Sequence, residues 1–240
     1  MDDTADSPFR TEPHTESHVG SGSEPGSKAA ERDRRVADAA MRLAAEQGWS
    51  RTGLLDIARA AGLSAAAFYH RYPDRADVLA AVSRTADLAV LADDQPLDPA
   101  LDSGESARDR LFDVMMRRYD ALQPYREGLR VVMRDLRGEP LTALAFSRQF
   151  GRSMAWMLRA AGVEADRLGG AVLTAGLGAV QARVMRVFLD DDTADLSRTM
   201  AALDAELRRA ERWAGTLRRR PRRSRSPEPP QDPAAIDPAI

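Results

Sequence analysis

The residues best suited to metal or acid–base chemistry are few: three histidines, no cysteine, and a run of aspartates at Asp190, Asp191 and Asp192. His14 and His18 are four apart, which would place both on one helix face, yet no third ligand stands near them to complete a zinc site. His70 is isolated. The three aspartates follow an apolar helical pattern and read as its solvated stop. Neither a Gly-rich phosphate loop nor a nucleophile-elbow pattern occurs, and both would need a strand to carry them. Without a thiol there is no disulfide, no thiolate metal site and no cysteine nucleophile, a usage that fits a reducing, cytoplasmic compartment. The expectation is no enzyme, no metal and no cofactor.

Recognition chemistry is the alternative, and it depends on the elements that hold the recognising side chains. Apolar residues make up 43% of the 240-residue chain and charged residues 30%, enough for a core under a heavily ionised surface. Ala, Leu and Arg are abundant, β-branched residues are sparse, and no useful strand alternation appears, so the expected fold class is all-α. A first helix is predicted to start after Ser27 as N-cap and to stop at Gly48, burying Val36, Ala39, Ala40, Leu43 and Ala44. Short helices follow over Leu54–Ala61 and from a Ser64 cap to Arg71, and Pro73-Asp74 opens a fourth towards Leu91. A helix, a short helix, a glycine turn and a Ser-capped short helix within about 45 residues is the spacing of a helix-turn-helix. Phe68 and Tyr72, four apart, share a face. Phe68 would anchor the third helix while its N-terminal end enters a DNA major groove.

The run Val36–Gly48, the stretch Trp49-Ser50-Arg51-Thr52-Gly53-Leu54-Leu55-Asp56-Ile57-Ala58, the turn Ala61-Gly62-Leu63-Ser64, then Phe68-Tyr69-His70 and Tyr72-Pro73-Asp74-Arg75 resemble the DNA-binding domain of TetR-family transcriptional regulators. The resemblance implies a TetR-like fold and a homodimer that binds double-stranded DNA. By position it implies that Thr52 contacts a phosphate near the start of the second helix. Ser64, Ala65 and Ala66 would open the recognition helix, and Tyr69 and His70 would reach the DNA backbone. Arg75 stands where a lysine is commoner and would hold a further phosphate. The sequence departs from the family at Gly53, where a second threonine is common. The run Ala65-Ala66-Ala67 offers the bases methyl groups alone. Residues 28–80 carry nine basic and seven acidic side chains, a small positive excess for a DNA-binding surface.

Beyond a predicted linker at Asp93–Asp102, longer amphipathic segments run over about 104–122, 125–136, 141–161, 166–189 and 194–217. Arg110–Leu122 and Asp195–Leu207 are similar to the C-terminal domain of the accessory lipid-binding proteins of ubiquinone biosynthesis, whose fold is TetR-like. That similarity implies an alternative function, a lipid- or quinone-pathway binding protein without DNA binding. In the last helix Leu196, Met200, Leu203 and Leu207 keep a 4-3-4 spacing, a narrow stripe suited to a coiled-coil-like seam. Ala175, Ala179 and Ala182 of the preceding helix add small side chains for close approach. The two sets are expected to form a two-fold four-helix dimer interface, although the same residues would serve as an intramolecular core. Met115, Tyr119, Met133, Phe150, Met154, Met157 and Met185 are a further set, read either as core filler or as the wall of an apolar pocket for a hydrophobic small-molecule effector.

The expected organisation is an acidic tail over 1–27, a helix-turn-helix domain over 28–80, a ligand-binding and dimerisation domain over 81–217, and a Pro-rich tail over 218–240. Arg218, Arg219, Arg220, Arg222, Arg223 and Arg225 make the start of that last tail basic. No apolar run reaches the roughly 20 residues needed to cross a bilayer, and the acidic N-terminus lacks the basic leader of a secretory signal. The expected function is a ligand-responsive transcriptional regulator, a repressor on a pseudo-palindromic operator.

Overall fold

Turn and capping chemistry sets the helix ends of this chain, seen here in a computed structural model that describes residues 25–92, 106–163 and 167–218. The described residues form α1 (Pro25–Gln47), α2 (Leu54–Ala60), α3 (Ala65–Arg71), α4 (Arg75–Leu91), α5 (Ala107–Leu122), α6 (Arg126–Asp135), α7 (Pro140–Ala160), α8 (Arg167–Leu189) and α9 (Ser197–Arg218). Single 3-10 turns at Gln123–Tyr125 and Leu136–Gly138 flank α6. No strand occurs among the described residues. Ser64, Asp74 and Ser106 each accept a hydrogen bond from the amide three residues on, at 3.2, 2.9 and 3.2 Å, which starts α3, α4 and α5. Gly48 and Gly62 end α1 and α2 with φ of 92° and 66°, where a side chain with a Cβ would be strained.

Two boundaries differ from the sequence reading. The first helix begins at Pro25, so Ser27 lies inside it and is not its cap. α4 runs unbroken through position 80, so the two expected domains share one helix. This helix is buried on nearly every side, because it packs on α1 with one face and on α5 and α7 with the others. The expected linker at Asp93–Asp102 and the expected tails, apart from 25–27 and Arg218, lie outside the described residues, as do His14 and His18.

α8 corrects a further expectation. Over Gly169–Leu189 it is long and apolar enough, by length and composition, to cross a bilayer. Here it packs against α6, α7 and α9, and Arg183 on its surface pairs with Glu206 of α9 at 3.0 Å. About a third of that stretch is buried in the protomer.

The turn from α8 to α9 is built on Asp191, which is fully buried and not the solvated stop expected for it. Its carboxylate accepts from the amide and hydroxyl of Thr193 at 3.1 and 2.6 Å, and from the amide and hydroxyl of Thr199 at 2.7 Å each. Leu196 in this turn takes a left-handed φ of 53° while burying its side chain, so packing offsets local strain. Burial alone would raise the Asp191 pKa, but the four hydrogen bonds outweigh it and hold the carboxyl below the ordinary range. Because the folded value lies below the unfolded one, this stabilisation is present above about pH 4 and fades as pH falls further. Asp191→Asn is expected to lose about 2 kcal/mol at pH 7, in line with hydrogen bonds to a charged group. Thermal melts at pH 7 and pH 3 check this: the deficit should shrink at the lower pH, and a constant deficit would assign it to shape alone.

Candidate nucleic-acid interface

The helix-turn-helix is held from behind. Ile57, Ala58 and Ala61 of the α2 region and Phe68 of α3 are buried against α1 and α4, and the Leu63 amide donates to the Ala58 carbonyl at 2.9 Å to close the turn. The Phe68 and Tyr72 rings pack with centroids 5.1 Å apart. Behind them Asp33 of α1, itself buried, accepts from the Tyr72 hydroxyl and from Arg84 of α4 at 2.7 Å, with Arg71 at 3.7 Å. Burial, then the bond to Asp33, pushes the Tyr72 phenol well above its usual range. One carboxylate thus ties α1, the end of α3 and α4 together. α3 cannot roll without breaking it.

What α3 turns outward is the run Ser64, Ala65, Ala66 and Ala67, then Tyr69 and His70. Tyr69 is 72% exposed, unusual for an aromatic side chain. Six of the residues expected at the DNA surface or beside it therefore share one outward face. Two others do not. Thr52 is buried, its hydroxyl donating to the Gly48 carbonyl at 2.8 Å, so its side chain holds the α1–α2 loop and is not presented to a phosphate. Arg75 turns inward as well: its guanidinium donates to the carbonyls of Trp49, Ser50 and Thr52 at 2.9 to 3.1 Å, stacks 5.2 Å from the Trp49 ring centroid, and pairs with Glu139 at 3.0 Å. Both are structural ties in the place expected for phosphate contacts. Gly53 is the N-cap of α2 and supplies no side-chain acceptor there.

Sequence reasoning missed Arg35. It is exposed on α1, with its guanidinium 3.9 Å from the position a Cβ on Gly62 would take, so a cation stands at the turn between α2 and α3. No local motif marks it. Only the packing angle of α1 against α2 brings it there.

α6 and the corner that follows it join this head to the rest of the chain. The Ser50 amide and hydroxyl both donate to Asp135 at the end of α6, at 3.1 and 3.0 Å. Arg75 reaches Glu139, the residue before α7. At Gly128 the backbones of α6 and α1 come so close that a Cβ would lie 2.3 Å from the Met41 carbonyl oxygen. The other flank of α6 grips the C-terminus of α8, where Arg130 donates to the Leu189 carbonyl at 3.0 Å and Arg126 to that of Asp191, satisfying carbonyls a helix end leaves open.

The two C-terminal residue sets divide between the core and the surface of the protomer. Leu196, Leu203 and Leu207 are buried within the protomer, Leu207 at the wall of the cleft between α8 and α9. Their spacing packs α9 onto α5 and α8. Met200 on α9 and Ala175, Ala179 and Ala182 on α8 are exposed. Among the expected pocket residues, Met115, Tyr119, Met154 and Met157 are fully buried, Phe150 and Met185 partly so, and Met133 faces outward on α6. None of the seven lines the apolar cleft of about 290 Å³ between α8 and α9, whose walls include Val172, Leu173, Ala179, Leu207, Ala210 and Trp213. No group of three His, Cys, Asp or Glu side chains comes together among the described residues.

Geometry of this kind, a braced helix-turn-helix under a helical domain that shares its fourth helix, defines the TetR-like fold. The TetR transcriptional regulator from Nitrosomonas europaea is similar at a TM-score of 0.57 and 19% identity, over 75% of this chain and 97% of that one. A TetR transcriptional regulator from Rhodococcus sp. RHA1 is similar at a TM-score of 0.52, with 19% identity and coverage of 75% and 97%. Likeness at that identity speaks to the fold. Residues 36–82 match the model of the bacterial regulatory proteins of the tetR family. No match was found among curated proteins.

Proposed function

We propose that this protein is a ligand-responsive regulator of transcription, a repressor that binds a pseudo-palindromic operator as a dimer in the cytoplasm. The observation that carries the reading is the outward face of α3: Ser64 to Ala67, Tyr69 and His70 stand in solvent on a helix whose other face is locked by Phe68 and Tyr72. A rigid short helix with a free N-terminal end is what major-groove entry requires. Residues 28–80 act as the reading head, and residues 81–217 sense a ligand and dimerise. The exposed faces of α8 and α9, with Ala175, Ala179, Ala182, Met200 and Trp213, are the dimer surface, since they are apolar and uncovered in the protomer. A hydrophobic effector bound in the C-terminal domain acts through α6, which touches both α8 and the head. Coupling of about 1–3 kcal/mol between the two sites is enough.

Selection of genomic DNA fragments by the purified full-length protein, followed by binding at two salt concentrations, tests the reading. A palindromic site held selectively supports it. Removal of the phenol oxygen by Tyr69→Phe is expected to weaken binding about tenfold, roughly 1.4 kcal/mol, equally on operator and unrelated DNA, because a phosphate contact carries no sequence information. Unchanged affinity would take Tyr69 out of the interface.

A second reading is a lipid- or quinone-pathway accessory protein that keeps the fold and does not bind DNA. The inward turn of Thr52 and Arg75, together with the three alanines of α3, favours it. A folded dimer that recovers no DNA above background, yet yields a prenyl lipid on solvent extraction, would establish this reading instead.

A further inference from the structure

The core where α5, α7 and α8 meet holds a buried amide without a partner. Gln181 of α8 is 1% exposed, and neither its Oε1 nor its Nε2 makes a hydrogen bond. Helix register puts it on the stripe of Leu177, Val184 and Phe188, all buried. Tyr119 of α5 enters the same place. Its ring stands 5.2 Å from that of Phe188, and its hydroxyl lies 3.4 Å from the Gln181 carbonyl oxygen, at the outer limit of a hydrogen bond. Burial pushes the phenol far above its usual range, so it stays a neutral donor. An unpaired amide in such a core is a standing cost that a leucine would avoid.

The surroundings say what would pair with it. Met115 of α5 and Met154 and Met157 of α7 are fully buried, and Phe150 of α7 reaches α8 one turn before Gln181, 3.3 Å from where a Cβ on Gly178 would be. Methionines repack readily around an incoming group. The neighbouring charge, Arg118, is already paired with Asp87 and largely neutralised by it, with its Nε left unpartnered.

We propose that Gln181, with the Tyr119 hydroxyl, is the polar anchor of the effector site, and that the effector is an uncharged, mainly apolar molecule bearing one carbonyl, amide or hydroxyl head. This rests on the reading that the C-terminal domain senses a ligand. The amide presents a donor and an acceptor side by side, matching a neutral head group. A carboxylate would be buried there without a counter-charge.

Thermal melts of the full-length protein with octanamide, 2-octanone, octane and octanoate test it, with no DNA present, so failure to find an operator does not enter. In the wild type, octanamide is expected to bind about tenfold more tightly than octane, equivalent to roughly 1.4 kcal/mol, and octanoate to give no shift. Gln181→Leu should erase the head-group advantage, and Tyr119→Phe should reduce it. Without any probe, Gln181→Leu should melt no lower than the wild type, since it removes an unpartnered amide. A fall in its melting temperature would show that Gln181 is held by a structural partner and overturn the proposal. So would a head-group advantage that is absent in the wild type or survives in Gln181→Leu. Octanoate outranking octanamide would overturn the uncharged class. Probe binding as expected alongside failed DNA selection would sink the repressor reading and leave the site standing.

Discussion

Gly128→Ala is expected to cost about 3 kcal/mol, the upper part of the range for overpacking a core. For a chain of this size that is a fall in melting temperature of roughly 6–12 °C. Helix propensity argues the opposite sign, because alanine in the middle of a helix is favoured over glycine by about 1 kcal/mol. The neighbour decides. The new methyl would sit 2.3 Å from the Met41 carbonyl oxygen and 2.8 Å from its carbonyl carbon, and these are backbone atoms of α1 that cannot rotate away. Relief requires α6 to lift from α1, which would also strain the Ser50–Asp135 bonds a few turns on. Gly138→Ala is the control, since a Cβ there meets nothing within 4 Å, and its effect should stay within about 0.5 kcal/mol. A Gly128→Ala protein that melts at or above the wild type would mean the two helices are not in contact at this point.

Arg118→Met is expected to be as damaging or more, by about 3–5 kcal/mol, because it leaves Asp87 buried without its partner. Arg118 of α5 pairs with Asp87 of α4 and donates to Ser83 at 3.2 Å, and Ser153 of α7 donates to Asp87 at 2.8 Å. Three helices therefore meet at one ion pair inside the core. Burial already pushes the Asp87 pKa up, in spite of the pull of Arg118 and Ser153 downwards. A folded pKa above the unfolded one means that ionised Asp87 weighs against folding, more so as pH rises. Losing Arg118 strengthens that effect, so the deficit of Arg118→Met should be largest near pH 7 and smaller near pH 4. The double variant Asp87→Leu with Arg118→Met should regain most of the loss, as apolar replacements of buried pairs often do. Chemical denaturation of both single variants and the double at the two pH values measures the coupling. Additive losses would show that the two side chains do not act as a pair.

The helices were legible because their signals are local. A glycine after each of the first two helices, Ser64 and Asp74 as caps, and Pro140 in the first turn of α7 each act within a few residues of where they stand. The outward face of α3 was legible for the same reason. Thr52 and Arg75 were not. Their side chains are claimed by partners that the spacing does not reveal: Glu139 is 64 residues from Arg75 in the chain. The 4-3-4 stripe of α9 marks a packing surface, but a periodic stripe carries no label for its partner. Leu196, Leu203 and Leu207 proved to face the protomer's own core, leaving Met200 outside. Asp191 looked like one of three equivalent solvated acids until the two threonines converged on it. Gln181 drew no notice in an apolar stretch, since its lack of partners is a property of the packed core alone.

On the DNA-binding reading, the alanines of α3 separate two properties that most helices mix. Phe68 and Tyr72 secure the helix, while Ala65, Ala66 and Ala67 carry nothing the fold depends on. Replacing any of them by Arg, Asn or Gln would spend only tenths of a kcal/mol of helix propensity while adding a side chain able to read a base edge. Operator choice in this protein is thus open to evolutionary drift, and to redesign, at positions where selection for folding exerts almost no restraint.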